Sequence, residues 1–400
     1  MSRQLQGPLV IFVFITMFLV ITTALSPVLM SLLAMVGSII VSLAVGLTYY
    51  RLSKAYLSTN LPVDRKAVFI TGCDAGLGYC IAESLLAKGF DVFAGCLNVR
   101  SEGAITLADK DANVVHVDYL KLDTVVKGYS KVKNILGGKE LWGIVANAGV
   151  TTYGEVEWLM PMELRWLVDV NVAGTISFIK EGISEVKKSR GRIVILTGLH
   201  GRLVIPGMVV PSATAATLSQ FADGLRRELL KFEVQVCTIE PAFYRTRIMD
   251  HNNISAALTA VIDRLSSVVK EEYGGAYLNT YHFLYPKRLK RFARANISEV
   301  AAAVERSLLN RETNHRYQCC SMRQFLTWLM LESAPQQLRD FFLVKQFLPS
   351  VSVTGNITVR RTALKRVSVC SAETPPELGR ILRPVSLYST PPILQPGKVL

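Results

Sequence analysis

The sequence predicts an α/β protein: a parallel, doubly wound sheet with helices on both faces, preceded by transmembrane helices. Three observations lead to this prediction. Residues 4–50 contain no charged residue. After residue 60, short apolar runs alternate with segments long enough for helices, which is the pattern of a parallel sheet with helical crossovers. A glycine-rich turn, GCDAGLG at residues 72–78, follows the first apolar run and opens a helix.

Composition narrows the class of protein. The chain has 400 residues, half of them hydrophobic, and a formal net charge of +14. The basic excess is concentrated at both ends, without a Lys/Arg-rich run interleaved with aromatics, so nucleic acid is not an expected partner. The seven cysteines have no zinc-site or disulfide-framework spacing. We therefore expect no metal site, and free thiols in a reducing compartment.

The N-terminal apolar stretch predicts a membrane anchor over residues 1–58. One crossing needs about 20 apolar residues, so we predict two spans, about 8–24 and 28–49, with a turn at TTALSP (22–27). Arg3 and Arg51 flank the pair, which places both ends and the main domain on the cytosolic side, with the endoplasmic reticulum as the expected membrane. A single long, tilted span with a luminal domain is the alternative.

The remaining chain divides into three parts. We predict a nucleotide-binding α/β domain over 59–320, an amphipathic membrane- or substrate-facing segment over 321–349, and a disordered, basic, Pro-rich tail over 350–400. Within the domain, the predicted strands are 66–71, 91–97, 113–118, 141–149, 191–198 and 234–242. A helix over 79–90 follows the glycine-rich turn.

The turn at residues 72–78 indicates a phosphate site. Its glycines allow a tight turn and a close approach of backbone to a pyrophosphate, and the free N–H groups of the following helix point at the phosphates. Because the motif lies between a strand and a helix, it favours a Rossmann-type dinucleotide-binding fold.

Several motifs in order resemble the short-chain dehydrogenase/reductase family. They are Gly72-x-x-x-Gly76-x-Gly78, Asp118, Asn147-Ala148-Gly149 and Asn171. The segments LPVDRKAVFITGCDAGLG (61–78), VNVAGT (170–175) and SRGRIVILTG (189–198) are similar to membrane-anchored hydroxysteroid dehydrogenases, of the 17β type 2 and 11β type 2 kinds, and to retinol dehydrogenases. The resemblance extends over about residues 61–345.

The resemblance implies a nicotinamide cofactor, with NAD favoured over NADP. Asp74 would repel a 2′-phosphate, whereas Asn98, where many NAD-using relatives have Asp, and the nearby Arg100 leave NADP possible. The methyl group of Ala242 is expected either to crowd the nicotinamide ring or to force a small shift. The implied cofactor-binding residues are Gly72, Asp74, Gly76, Leu77, Gly78, Asn98, Asp118, Asn147, Ala148, Gly149 and Thr246. The alternative is that the glycine loop survives only as a turn and cofactor binding is lost.

The catalytic residues implied by the resemblance are missing. The family's Ser, Tyr and Lys fall on Gly198, Pro211 and Ala215, while Asn171 is retained and is expected to be structural. His200, Tyr153 and Tyr244 are the nearby candidate substitutes, and His200 alone has a suitable intrinsic pKa.

The helix that begins near residue 209 is expected to fold without its catalytic groups. Pro211 suits the first turn of a helix. A fourfold spacing predicts one core-facing stripe, formed by Ala213, Thr217, Phe221, Leu225 and Leu229. In the family this helix forms a dimer interface, so a homodimer or a heterodimer with a related dehydrogenase is the expected partner arrangement.

Three functions remain open from sequence. The first is a catalytically impaired pseudoenzyme that binds NAD(H) or a steroid- or retinoid-like lipid at a membrane. The alternative is an active NAD(P)-dependent oxidoreductase on a lipid alcohol, using non-standard groups such as His200. A purely structural membrane protein is the third. Whether the chain is an enzyme is therefore undecided at this stage, and the missing Ser, Tyr and Lys argue against it.

Overall fold

The computed structural model describes residues 6–56 and 60–350, so the predicted tail lies outside the described residues from position 351 onward. The strands are β1 Lys66–Thr71, β2 Asp91–Cys96, β3 Asn113–His116, β4 Glu140–Ala146, β5 Arg192–Leu196, β6 Gln235–Pro241 and β7 Arg316–Cys319. The helices are α1 Gln6–Tyr56, α2 Gly76–Ala87, α3 Glu102–Asp109, α4 Leu122–Leu136, α5 Pro161–Val168, α6 Thr175–Ser189, α7 Val209–Leu229, α8 His251–Asp263, α9 Ser267–Tyr273, α10 Gly275–Phe292, α11 Ser298–Leu309, α12 Met322–Ser333 and α13 Gln336–Phe347.

The seven described strands form one parallel sheet in the order β3-β2-β1-β4-β5-β6-β7. This confirms the predicted doubly wound fold, and each predicted strand is present within three residues of its expected bounds. Strand order reverses at β1, which has β2 on one side and β4 on the other. In open parallel sheets a ligand crevice lies at such a reversal, outside the carboxyl ends of the strands.

Both faces of the sheet are covered, which explains why the strands are nearly continuous apolar runs. On one face, Val68 and Ile70 of β1 pack with α2, α3 and α11. On the other face, Phe69 lies among α4, α6 and α7, with ring contacts to Tyr129 and Phe178 at centroid distances of 5.1 and 5.0 Å.

A third apolar cluster lies beyond the carboxyl ends of the strands. Its members come from α8, α10, the segment after β4 and the loop before α7, and include Trp158, Ile205, Leu258 and Tyr281. Phe347 of α13 is buried in the same cluster, so the C-terminal helices are attached to this part of the domain.

The N-terminal helix differs from its prediction. The expected turn at residues 22–27 is wrong, because α1 is continuous from Gln6 to Tyr56 with Pro27 inside it. The Thr22 and Thr23 hydroxyls donate to backbone carbonyls one turn earlier in the same helix, a bond that bends a helix without ending it. One stretch, Leu29–Tyr49, is long and apolar enough to cross a membrane, and Val13–Thr23 is shorter. The number of crossings therefore stays a prediction.

The predicted stripe on α7 is also wrong in part. Leu225 and Leu229 are buried, but Ala213 and Thr217 are exposed. Four residues turn a helix by about 400°, so a strict fourfold spacing drifts by about 40° at each step and leaves the buried face. The buried residues follow the mixed three- and four-residue spacing of an amphipathic helix, and they include Ala215, Leu218, Ala222, Leu225 and Leu229.

Candidate nucleotide site with substituted catalytic positions

A cavity of about 510 Å³ lies at the carboxyl ends of β1, β4, β5 and β6. The glycine loop and Thr246, which lies next to Gly76, form one end, and the start of α7 with Phe243 forms the other. Of the predicted cofactor residues, all but Asn98 line it. The structure therefore brings together residues that are far apart in the chain, from Gly72 to Thr246.

The glycine loop has the geometry that its sequence predicts. Gly72 and Gly76 have left-handed backbone conformations, with φ of +72° and +66°. A Cβ on Gly78 would lie 2.7 Å from the carbonyl carbon of Gly72, which no side chain tolerates. Helix α2 begins at Gly76 without a side-chain cap. Its first N–H groups and helix dipole are therefore available to an anion in the cavity.

Asp74 connects the glycine loop to the end of β2. Its two carboxylate oxygens accept hydrogen bonds from the backbone N–H groups of Leu97 and Asn98, at 2.9 and 2.8 Å. The Asn98 side chain instead accepts a bond from the Arg100 N–H at 2.9 Å. The Asn98 side chain thus organises its own turn, while Asp74 presents the negative charge on this side of the cavity.

The adenosine side is held by interactions between β1, β4 and the end of β3. The Asn147 side chain donates to the Thr71 carbonyl at 2.8 Å, and the Thr71 hydroxyl accepts from the N–H groups of Asn147 and Ala148. The Asp118 carboxylate accepts from the Leu120 N–H at 3.0 Å and lies 3.6 Å from the Lys121 ammonium. These contacts fix the walls against which an adenine would pack.

The three positions predicted to correspond to the family's Ser, Tyr and Lys lie after β5 and at the start of α7. Gly198 follows β5, and Pro211 and Ala215 lie in the first two turns of α7, with both side chains on the cavity wall. Pro211 is the third residue of α7, so its missing N–H costs no helical hydrogen bond. Neither side chain carries a polar atom, so this wall offers no group that could exchange a proton.

His200 occupies the space that a side chain on Gly198 would need. A Cβ at position 198 would lie 2.5 Å from His200 Nδ1. The imidazole stacks on Phe243, with centroids 6.0 Å apart and planes 17° from parallel. Desolvation by burial lowers the pKa of His200 to about 4, so the ring is neutral at pH 7. It lines the cavity as an uncharged ring and cannot supply a proton from an imidazolium at pH 7.

Asn171 lies in a π-helical segment, Asp169–Gly174, between α5 and α6. Its side-chain oxygen accepts from the Val150 N–H, and its amide donates to the Val150 carbonyl, both at 2.8 Å. The same amide donates to the Thr214 hydroxyl at 3.2 Å. The side chain thus joins the strand end after β4 to helix α7.

The hydroxyl groups of the two candidate tyrosines are hydrogen-bonded to other parts of the protein. The Tyr153 hydroxyl donates to the Ile248 carbonyl at 2.6 Å, and the Tyr244 hydroxyl donates to Glu299 at 3.1 Å and to the Cys319 carbonyl at 3.0 Å. Burial raises the pKa of both phenols well above the usual range. Tyr244 lines the cavity, but its hydroxyl points toward α11 and β7.

Sequence reasoning missed several residues of the cavity wall. Leu97 and Leu120 flank the adenosine end, and Met208 and Phe243 flank the other end. The available signal was proximity in sequence to predicted site residues: Leu97 to Asn98, Leu120 to Asp118, Met208 to Pro211 and Phe243 to Ala242. Being apolar, they resemble core residues in sequence.

A buried charge network supports the segment that contains Ala242. Glu240 of β6 is fully buried and lies 3.5 Å from Arg202 and 3.5 Å from Arg316. Arg202 also pairs with Glu332 of α12 at 2.9 Å. The network therefore links β6, β7 and the loop before α7 to the C-terminal helices.

Comparison with known proteins agrees with this geometry. A family profile described as short chain dehydrogenase matches residues 66–256. Estradiol 17-beta-dehydrogenase 2 of Mus musculus is 31% identical over 328 residues, covering 78% of this chain and 85% of that protein. The chain belongs to the short-chain dehydrogenase family. The predicted resemblance is thereby confirmed.

Two further relatives of this short-chain dehydrogenase show the breadth of the match. Retinol dehydrogenase 16 of Rattus norvegicus is 32% identical over 292 residues, covering 72% of this chain and 86% of that protein. The crystal structure of a short chain dehydrogenase from Mycobacterium paratuberculosis bound to NAD has a TM-score of 0.51 and 20% identity, covering 64% of this chain and 97% of that one. At this identity the structural match supports the fold alone.

Proposed function

We propose that this chain is a membrane-anchored, catalytically impaired short-chain dehydrogenase that binds NAD(H) or a steroid- or retinoid-like lipid without turning it over. One observation carries the proposal. In the proposed correspondence the family's Ser, Tyr and Lys fall on Gly198, Pro211 and Ala215, and the Pro211 and Ala215 side chains that line the cavity carry no group that exchanges a proton. A hydride transfer to or from a carbinol needs a matching proton transfer, and the side chains at these three positions do not supply it.

The end of the cavity formed by the glycine loop supports the proposal that the nucleotide site is retained. Gly78 is required by its contact with Gly72, and Asp74 holds the end of β2 next to the expected ribose. A 2′-phosphate at that place would meet the Asp74 carboxylate, and the N–H groups of Leu97 and Asn98 are already used by Asp74. This supports NAD over NADP.

Apolar surfaces support the membrane and lipid parts of the proposal. The side chains described in Leu29–Tyr49 are almost all exposed, as expected for a segment that contacts lipid. Helices α12 and α13 expose a second apolar group: Met322, Leu326, Leu329, Met330, Leu338, Phe341, Phe342 and Val344. We propose that both surfaces contact one membrane, that of the endoplasmic reticulum, with the domain on the cytosolic side and α7 available for pairing with a second dehydrogenase chain.

Two measurements on the detergent-solubilised full chain test the proposal. Calorimetric titration with NADH should show binding, and Gly78→Ala should abolish it. A panel of steroid and retinoid alcohols, each with NAD, should show no turnover. Turnover that His200→Ala abolishes would instead establish an active oxidoreductase with a non-standard group. Absence of NADH binding up to millimolar concentration would restrict the proposal to its lipid ligand.

A further inference from the structure

A group of basic side chains lies at the carboxyl-terminal end of α10, outside the cavity. Lys287, Lys290 and Arg291 are exposed, and none of them takes part in an ion pair among the described residues. The Lys287 ammonium lies 3.2 Å from the ring centroid of Phe283, which is itself 59% exposed. The charge at this end of α10 is therefore not neutralised by the described part of the domain.

Helices α12 and α13 are attached to the same end of α10. The rings of Phe347 in α13 and Phe292 in α10 have centroids 5.5 Å apart, and the Arg288 guanidinium donates to the Leu348 carbonyl. The Gln324 side-chain amide, at the start of α12, donates to the Phe292 carbonyl at 3.1 Å. The exposed apolar side chains of α12 and α13 thus lie on helices that are joined to the basic end of α10.

The charge of this surface is strongly unbalanced. Residues 283–292, α12 and α13 together carry seven Lys or Arg and two Asp or Glu. Of the two acids, Glu332 is already paired with Arg202. The basic residues of this surface are Lys287, Arg288, Lys290, Arg291, Arg323, Arg339 and Lys345.

Basic side chains beside exposed apolar ones fit the surface of a membrane that contains anionic lipids. The apolar groups enter the boundary between headgroups and acyl chains, while Lys and Arg are attracted to the negative charge of the headgroups. A nucleic acid would match the charge, but it would leave the eight exposed apolar residues of α12 and α13 in water. The stretch Leu29–Tyr49 of the same chain is long and apolar enough to hold the domain at such a membrane.

We propose that the end of α10, together with α12 and α13, is a docking surface for anionic lipid headgroups, so that the domain docks on a membrane according to the membrane's charge. This inference rests on the proposed membrane contact of α12 and α13 and specifies its lipid chemistry. One basic side chain near an anionic membrane surface strengthens binding by about fivefold. Docking should therefore be favoured by an acidic phospholipid and disfavoured by a membrane of neutral lipids alone.

Tryptophan fluorescence of the full chain in vesicles tests this. Phe342→Trp places an indole on the exposed apolar side of α13, and brominated acyl chains quench an indole that enters the bilayer. The quenching is compared with that of the wild type, whose four tryptophans give the background. The vesicles contain brominated phosphatidylcholine, either alone or mixed with phosphatidylserine.

We expect the ratio of docked to undocked domain, obtained from the quenching, to be at least about fivefold higher in the vesicles with phosphatidylserine. Salt at about 1 M should remove this difference, because the Debye length then falls to about 3 Å. Burial of apolar groups alone would not be weakened by salt in this way.

Two double variants in the Phe342→Trp background give a matched comparison. Lys290→Glu with Arg291→Glu leaves the surface with only one basic charge in excess, so most of the dependence on phosphatidylserine should be lost. Lys231→Glu with Arg311→Glu makes the same change of charge at two exposed residues that take part in no described ion pair. These two residues precede β6 and β7 and so lie at the opposite ends of the strands. This control should leave the quenching unchanged.

Equal quenching in the two kinds of vesicle would overturn this inference and leave the proposed membrane contact of α12 and α13 intact. Quenching in neither kind of vesicle would overturn both. An equal effect of the two double variants would show a response to net charge and count against a defined surface. If a double variant does not fold, Phe342→Trp alone still decides through the comparison of lipids and of salt concentrations.

Discussion

Gly198→Ala should destabilise the domain because the new methyl group would collide with the imidazole ring of His200. The backbone at Gly198 is extended, with φ of 167° and ψ of 149°, a conformation that any residue adopts. The obstacle is His200, whose Nδ1 would lie 2.5 Å from the new Cβ. The alanine therefore tests whether the imidazole has taken the place of the family's serine side chain.

The size of the effect follows from what has to move. Real Cβ atoms essentially never approach a heavy atom within 3.0 Å, so the imidazole must rotate away. Overpacking of this kind costs about 1–3 kcal/mol. Rotation also ends the stacking on Phe243, and an aromatic pair contributes about 0.5–1.5 kcal/mol. We expect Gly198→Ala to lower the free energy of unfolding by about 1.5–4.5 kcal/mol, the sum of these two ranges.

Urea denaturation of the full chain in detergent measures this, in a double-mutant cycle with His200→Ala. The cost of Gly198→Ala should fall to less than about 0.5 kcal/mol when His200 is already alanine. Gly224→Ala is the control on the neighbouring helix, because a Cβ there meets no atom within 4 Å. A coupling energy near zero would refute the steric argument, since the ring would then not be the obstacle.

Three further predictions concern stability. Burial lowers the pKa of His200 to about 4 in the folded protein, from about 6.5 in the unfolded chain. Between these two pH values the unfolded state binds more protons than the folded state. The free energy of unfolding therefore falls as the pH drops from about 6.5 to about 4. His200→Phe should reduce the loss between pH 7 and 4.5 by about 2–2.5 kcal/mol, measured by urea denaturation at both pH values. Glu240→Gln should cost about 1–3 kcal/mol by leaving two arginines less well paired, while the half-exposed Glu332→Gln should cost less than about 1 kcal/mol. Asn171→Ala removes three hydrogen bonds and should cost about 1–3 kcal/mol; an unchanged urea midpoint would contradict its bracing role.

The sheet was predictable where the signal is local. The runs that became β1, β2, β4, β5 and β6 are apolar, bounded by turn residues and buried on both faces. Strand β7 was missed because its four residues, Arg316–Cys319, are half polar and too short for a pattern. Its place is fixed by pairing with β6, where Thr238 opposes Arg316, and such a long-range contact leaves no trace in local sequence.

The same difference between local patterns and long-range contacts explains which parts of the site were predictable from sequence. The glycine loop was predictable because its turn geometry depends on the residues of the turn itself. The position of His200 was not, since it depends on the loop Leu199–Gly201, on Phe243 from a distant segment and on the space left at Gly198. The turn expected at residues 22–27 failed for a different reason: threonine and proline weaken a helix without always ending it, and α1 continues through Pro27.

Restoring the three catalytic groups that we propose are missing meets a steric obstacle at Gly198, where a Cβ would lie against the His200 ring. Gly198→Ser, Pro211→Tyr and Ala215→Lys together would restore the family's groups, but the serine Cβ would meet the His200 ring. We therefore expect the triple variant to remain without turnover on a steroid or retinoid alcohol. Adding His200→Ala should release the serine and give measurable turnover, if the cavity still accepts the nicotinamide ring beside Ala242. If the triple variant turns over with His200 in place, the imidazole ring moves aside freely. The steric conflict between residue 198 and His200 would then have no effect on catalysis.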